Sequence, residues 1–79
     1  MIVIIDYGAG NIRSVCNAVA ALGYRPLVTD NPHDIDKADA LILPGVGAAG
    51  DTMRSLTALK FVDPLTGYIS GGRPFLAYA

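Results

Sequence analysis

Length, composition and charge describe a small apolar domain and exclude several classes of partner. The chain has 79 residues, 52% hydrophobic and 16% charged, with a formal net charge of −1 at pH 7. It has neither the basic patch of a nucleic-acid-binding protein, nor a run of roughly 20 apolar residues that would span a membrane, nor a signal-peptide start. The single cysteine, Cys16, allows no internal disulfide and fits a reducing cytoplasm.

The first half of the chain predicts two strands and an amphipathic helix. The β-branched run over residues 2–5 is typical of a parallel strand covered on both faces. A helix follows, with Asn11 as its N-cap and Gly23 at its end. Residues 27–29 form a second strand, and Asn31 with Pro32 begins a helix of one or two turns. The inward positions of the first helix, at i, i+3, i+4 and i+7 spacing, are Ile12, Val15, Cys16, Val19 and Leu22.

The second half predicts two more strands with two helices between them. Residues 40–43 form the third strand, and helices follow over residues 51–60 and from Asp63 to Gly71. Residues 74–78 form the fourth strand. Right-handed crossovers in this order predict a parallel α/β sheet of four strands. The inward helical positions are Met53, Leu56, Leu59, Leu65, Tyr68 and Ile69.

Few side chains in the sequence can carry covalent or metal chemistry. Cys16 falls on the buried face of its helix, where a thiol is usually inert. His33 lies in a polar turn with no second His or Cys at metal-ligand spacing, so we expect it at the surface. Asp34, Asp36 and Asp39 are most simply a solvated rim around the short helix. We therefore expect no metal and no cofactor.

The turn after the first strand has three interpretations. The pair Gly8-x-Gly10 follows a strand and opens a helix, as in dinucleotide-binding proteins, but Arg13 stands where the third glycine of that fingerprint should be. The turn can instead simply cap the helix. It can also contact a ligand or partner through Gly10, Asn11 and Arg13.

The turn after the third strand is unusually rich in glycine. Three glycines occur in residues 44–50, at the carboxyl end of a parallel strand, where open α/β sheets bind their ligands. Such a turn is either a permissive loop or a set of backbone N–H groups directed at an oxyanion, as acyl-transfer enzymes require. The residues alone leave both interpretations open.

Four stretches together resemble the glutamine amidotransferase subunits of imidazole glycerol phosphate synthase, which act in histidine biosynthesis. They are residues 4–15 (IIDYGAGNIRSV), 20–24 (AALGY), 43–51 (LPGVGAAGD) and 72–76 (GRPFL). The motifs D-Y-G-A-G-N and P-G-V-G-A-x-G-D at this spacing are specific. The resemblance covers essentially the whole chain, but only the first part of a family member.

The resemblance implies a class I amidotransferase fold, a flavodoxin-like parallel sheet with helices on both faces, here incomplete. It implies a Cys-His-Glu triad that hydrolyses glutamine, and a (β/α)8-barrel cyclase subunit that receives the ammonia. Matching the family's motifs assigns two sets of residues. The oxyanion and substrate-binding set is Pro44, Gly45, Val46, Gly47 and Gly50, with the Val46 and Gly47 amides as donors; the set facing the partner is Gly10, Asn11 and Arg13.

The chain departs from the family at its last residues. The family continues into Gly-Ile-Cys-x-Gly-Met-Gln, whereas here Leu76 is followed by Ala-Tyr-Ala, with Ala79 at the position of the nucleophile. We expect a truncated or frame-shifted copy with no glutaminase activity alone, unstable or aggregating in isolation. The alternatives are a non-catalytic module that docks on the cyclase, and an unrelated flavodoxin-like nucleotide binder.

Overall fold

Four parallel strands form the centre of the fold, in the spatial order β2-β1-β3-β4. The computed structural model describes residues 1–8, 12–45 and 49–78. The strands are β1 (Ile2–Ile5), β2 (Pro26–Thr29), β3 (Ala40–Pro44) and β4 (Phe75–Tyr78). The helices are α1 (Ile12–Ala21), α2 (Ala49–Ala58), α3 (Val62–Ser70) and a short 3₁₀ helix (Pro32–Lys37).

Every pair of neighbouring strands is parallel, which confirms the predicted fold class. From β1 the chain moves outward to β2 on one side, and then returns past β1 to add β3 and β4 on the other. The strand order therefore reverses between β1 and β3. In open α/β sheets, ligands bind at the carboxyl ends of the strands beside such a reversal.

The residues of β1 alternate between two hydrophobic clusters because successive strand side chains point to opposite faces. Val3 and Ile5 face the 3₁₀ helix, α2 and α3, and we call this side the three-helix face. Ile4 faces α1, and we call this side the α1 face. The buried residues on the α1 face are Ile4, Val15 and Val19. Those on the three-helix face are Val3, Ile5, Tyr7, Ile35, Ala38, Leu41, Leu43, Leu56, Phe61, Leu65 and Tyr68.

The predicted helix boundaries are confirmed at several ends. Asn31 caps the 3₁₀ helix by accepting a hydrogen bond from the His33 N–H at 3.0 Å, with Pro32 in the first turn. Gly23, with φ +91°, follows the end of α1, and Gly71 caps α3. The predicted Asn11 cap lies outside the described residues. The helix predicted from residue 51 begins at Ala49 instead.

Three of the predicted core positions are wrong. Met53 of α2 is 53% exposed, because Thr52 and Leu56 are the buried positions of that helix. Ile69 of α3 is 50% exposed, because Leu65 and Tyr68 are the buried positions there. Leu22 is 76% exposed because α1 ends at Ala21, one residue earlier. Leu56, Leu65 and Tyr68 are buried as predicted. In the part of the chain that is described, no helix has both the length and the apolar character to cross a membrane.

Candidate functional site

Two turns meet at the carboxyl edge of the sheet, at the strand-order reversal. One follows β1 and comprises residues 6–8, and the other begins at the end of β3 with Pro44 and Gly45. We call them the β1 turn and the β3 turn. The Asp6 N–H donates to the Thr29 carbonyl at 2.8 Å, so the backbone leaving β1 stays paired with β2. The ladder between β1 and β3 runs from the Ile2–Ala40 pair to the Ile4–Ile42 pair.

A buried side chain joins the two turns. The hydroxyl of Tyr7 donates a hydrogen bond to the carbonyl oxygen of Pro44. Both residues are buried, Tyr7 at 3% exposure and Pro44 fully. A buried carbonyl without a partner is costly, and a tyrosine hydroxyl in a core normally finds one. The bond therefore satisfies two polar groups and fixes one turn to the other.

The β1 turn is closed by its own aspartate. Gly8 has φ +88°, a conformation that favours glycine, and its N–H donates to Asp6 Oδ1 at 3.1 Å. This backbone N–H, which a phosphate-binding turn would direct at its ligand, is thus bonded within the turn.

The β3 turn begins with a glycine that the backbone requires. Gly45 has φ +71°, where a side chain would be strained. Val46 and Gly47, the predicted donors, lie outside the described residues. Gly50 lies in the first turn of α2, where the backbone N–H groups have no partner within the helix.

An open pocket of about 390 Å³ lies beside the β1 turn. Asp6, Tyr7 and Gly8 form one side of it and Asp30 another. Ser55, Ala58 and Leu59 of α2 complete the lining. The pocket is thus bounded by polar groups from two strand ends and by one helix.

The predicted partner-facing residues are described only in part. Arg13 is exposed in the first turn of α1, while Gly10 and Asn11 lie outside the described residues, as does Ala79. Cys16 is a free, half-buried thiol within α1 and packs at the edge of the α1-face cluster. His33 is exposed, as predicted. Among residues 1–8, 12–45 and 49–78, no three His, Cys, Asp or Glu side chains are grouped to hold a metal ion.

Two of the three aspartates near the 3₁₀ helix are more than a solvated rim. Asp34 is half-buried; the hydrogen bond donated by the Thr29 hydroxyl, and then Lys37 at 3.3 Å, lower the pKa of its carboxyl. Asp39 accepts a hydrogen bond from the N-terminal ammonium of Met1, which lowers the pKa of that carboxyl. These contacts tie the 3₁₀ helix and the N-terminus to the sheet, and they do not form a site.

Tyr7 is the residue that sequence reasoning missed. The sequence marks Tyr7 only as part of the motif D-Y-G-A-G-N, although an aromatic residue directly after a buried strand is a candidate for burial. Its partner is a backbone carbonyl 37 positions away, which no local pattern reveals.

The sequence is similar to known proteins over nearly its whole length, although no family profile matches it. The subunit HisH of imidazole glycerol phosphate synthase from Syntrophotalea carbinolica is 54% identical over 76 residues, which are 96% of this chain. The HisH subunit from Methanothermobacter thermautotrophicus is 51% identical over the same share. This chain is a homologue of the HisH subunits. It spans about 37% of the length of these two relatives.

A third relative has a name that combines the designations HisH and HisF. The imidazole glycerol phosphate synthase hisHF of Schizosaccharomyces pombe is 50% identical over 74 residues, which are 94% of this chain and 14% of that protein. The names of all three relatives, from a bacterium, an archaeon and a yeast, refer to imidazole glycerol phosphate synthase.

Proposed function

We propose that this chain forms the oxyanion-bearing part of a HisH-type glutamine amidotransferase domain, which supplies ammonia to imidazole glycerol phosphate synthase in the cytoplasm. The observation that carries the proposal is the 54% identity to a HisH subunit over 96% of the chain. The position of the β1 and β3 turns at the strand-order reversal supports it, because open α/β sheets bind their ligands there.

In the proposed reaction, a cysteine thiolate attacks the side-chain amide carbon of glutamine. A C–S bond forms, the carbonyl oxygen becomes an oxyanion, and the backbone N–H groups of Val46 and Gly47 donate to it. The amide nitrogen takes up the proton that the thiol gave up, the C–N bond breaks and ammonia leaves; water then hydrolyses the thioester to glutamate and regenerates the thiol. Pro44 and Gly45 hold the start of this turn, and Gly50 lies where it enters α2.

The proposed partner is the (β/α)8-barrel cyclase subunit, HisF, which would receive the ammonia. Gly10, Asn11 and Arg13 are the residues proposed to face it. The exposure of the Arg13 side chain on the first turn of α1 is compatible with such a contact. The combined designation hisHF of the yeast relative also supports a HisF partner.

The 79 residues by themselves do not contain the triad. All seven acidic residues are aspartates, so no glutamate is present, and Ala79 stands at the expected nucleophile position. A methyl group cannot form a thioester. We therefore expect no glutamate release from the chain alone, which an assay of the purified chain with glutamine and HisF checks.

A hybrid subunit tests the proposed function. Residues 1–76 of this chain replace the matched part of the S. carbinolica HisH subunit, and the relative supplies everything that follows, including the nucleophile. We expect the folded hybrid, assayed with HisF, to release glutamate from glutamine. A folded hybrid without this activity would contradict the proposal.

Two glycine variants of the hybrid locate the activity in the β3 turn. Gly45→Ala and Gly23→Ala each place a side chain at positive φ, +71° and +91°, and each costs on the order of 1 kcal/mol in backbone strain. Only Gly45 belongs to the proposed oxyanion turn. We expect Gly45→Ala to lower kcat at least tenfold. Gly23→Ala should lower the melting temperature and leave kcat unchanged.

A further inference from the structure

We infer that Tyr7 is a positioning residue for the oxyanion turn, acting through its hydrogen bond to the Pro44 carbonyl. The inference rests on the proposed function, because it concerns the geometry of the same turn. Tyr7 does not touch substrate in this scheme; it sets the direction of backbone groups that do.

The first step of the argument is the geometry of a peptide bond. In a trans peptide the C=O and N–H bonds lie in one plane and point in opposite directions. When the Tyr7 hydroxyl holds the Pro44 carbonyl, the rotation of the Pro44–Gly45 peptide is fixed, and so is the direction of the Gly45 N–H. The positive φ of Gly45 then sets the direction in which the chain leaves β3.

The second step is that no other hydrogen bond between the β1 turn and the β3 turn is found among the described residues. The β1–β3 ladder reaches Ile4 and Ile42, and Asp6 then bonds to Thr29 of β2. The backbone pairing of β1 with β3 thus ends before the two turns begin. In the described residues, the Tyr7 hydroxyl is the hydrogen bond that connects the two turns across that gap.

The third step is the rigidity of the anchor. Tyr7 belongs to the buried cluster of the three-helix face, where its ring is enclosed. A tyrosine has two side-chain torsions, so a packed ring holds its hydroxyl in one place. The carbonyl of Pro44 is therefore held by a core residue rather than by a mobile loop.

The fold contains a matched control. Tyr68 is also buried, at 1% exposure, and its hydroxyl donates to the Pro74 carbonyl at 2.9 Å. Burial raises the pKa of the Tyr68 hydroxyl, so it remains a protonated donor. Pro74 immediately precedes β4, at the amino edge of the sheet and away from the β1 and β3 turns. The two tyrosines make the same kind of bond at opposite ends of the strands.

The experiment compares Tyr7→Phe and Tyr68→Phe in the hybrid subunit described above, assayed with HisF. Each variant loses one hydroxyl and keeps the ring. We expect Tyr7→Phe to lower kcat for glutamine hydrolysis about 10- to 100-fold with KM within about twofold, since small misplacements of catalytic groups cost this much. We expect Tyr68→Phe to keep kcat within about twofold. It should lower the melting temperature less than Tyr7→Phe does, because the Pro74 carbonyl also accepts a hydrogen bond from the Leu41 N–H at 3.1 Å.

The possible results separate the two proposals. A folded parent hybrid without glutaminase activity overturns the proposed function. An active parent whose Tyr7→Phe variant keeps its kcat, or whose Tyr68→Phe variant loses as much, overturns only the assignment of Tyr7. If Tyr7→Phe fails to fold while Tyr68→Phe folds, the hydroxyl is a determinant of the fold, and the positioning role is likewise overturned.

Discussion

The two faces of the sheet differ greatly in how they are covered. On the three-helix face, eleven buried residues form one cluster, and Tyr68 and Phe61 are its largest fully buried side chains. On the α1 face, one helix buries Ile4, Val15 and Val19. Beside α1 lies an apolar pocket of about 280 Å³, lined in part by Ile42 and Leu76.

The difference shows that the apolar surface of the sheet is larger than the part of it that the described helices bury. The β-branched run of β1 indicates a strand made for cover on both faces, and Ile4 and Ile5 are both fully buried. Farther from α1 on the same face, Leu76 of β4 is 53% exposed. Apolar character therefore extends over the whole sheet, whereas the helices that are described cover only part of one face.

The largest expected effect is the loss of a large side chain from the three-helix face. Phe61 is fully buried and lies between α2 and α3. Phe61→Ala should cost about 3–5 kcal/mol in the free energy of unfolding, which is comparable to the whole stability of a small domain. Circular dichroism of the hybrid subunit in urea measures this, and an unchanged midpoint would show that the cluster is not packed as described.

A closely matched pair compares the two faces directly. Ile5→Ala removes the same atoms as Ile4→Ala from adjacent positions of β1, one on each face. Both should destabilise by about 2–4 kcal/mol, with the larger loss for Ile5, whose cavity has more packed neighbours that cannot collapse into it. Urea titration of both variants gives the difference. An equal or larger loss for Ile4 would mean that α1 alone packs as densely as three helices.

The exposed part of the α1 face should affect association more than stability. Leu76→Ser replaces a half-exposed apolar side chain, so we expect a change within about 0.5 kcal/mol in the free energy of unfolding. The isolated chain should self-associate through this face, and the variant should do so less. Light scattering against concentration measures this. A wild-type chain that stays monomeric and melts cooperatively at high concentration would refute the expectation.

The smallest effect concerns the attachment of the 3₁₀ helix to the three-helix face. The pKa of the Asp34 carboxyl is lowered in the folded state, so its contribution to stability is present at neutral pH and is lost as the pH falls through the folded-state value. Acid should therefore lower the urea midpoint less in Asp34→Asn than in the wild-type chain. Asp36→Asn, at an exposed position of the same helix, removes the same charge but leaves the contact between Asp34 and Thr29 in place, and it is the matched control.

The sequence predicts the order, direction and approximate limits of the strands and helices because these depend on local periodicity and on glycine and proline. It predicts the position of the β3 turn for the same reason. It does not predict the rotation of α2, because Thr52 rather than Met53 faces the sheet, and this depends on the neighbouring layers. It also does not predict the bond from Tyr7 to Pro44, which joins residues 37 positions apart and depends on how two turns approach each other.

The order of these residues along the chain has a consequence for folding during synthesis. Tyr7 and Pro44 lie within the first 44 residues, but Leu56, Phe61 and Tyr68, which belong to the same buried cluster as Tyr7, are translated later. A domain generally folds as one unit. The Tyr7 ring is therefore enclosed, and the β3 turn held in one direction, only after α2 and α3 have left the ribosome.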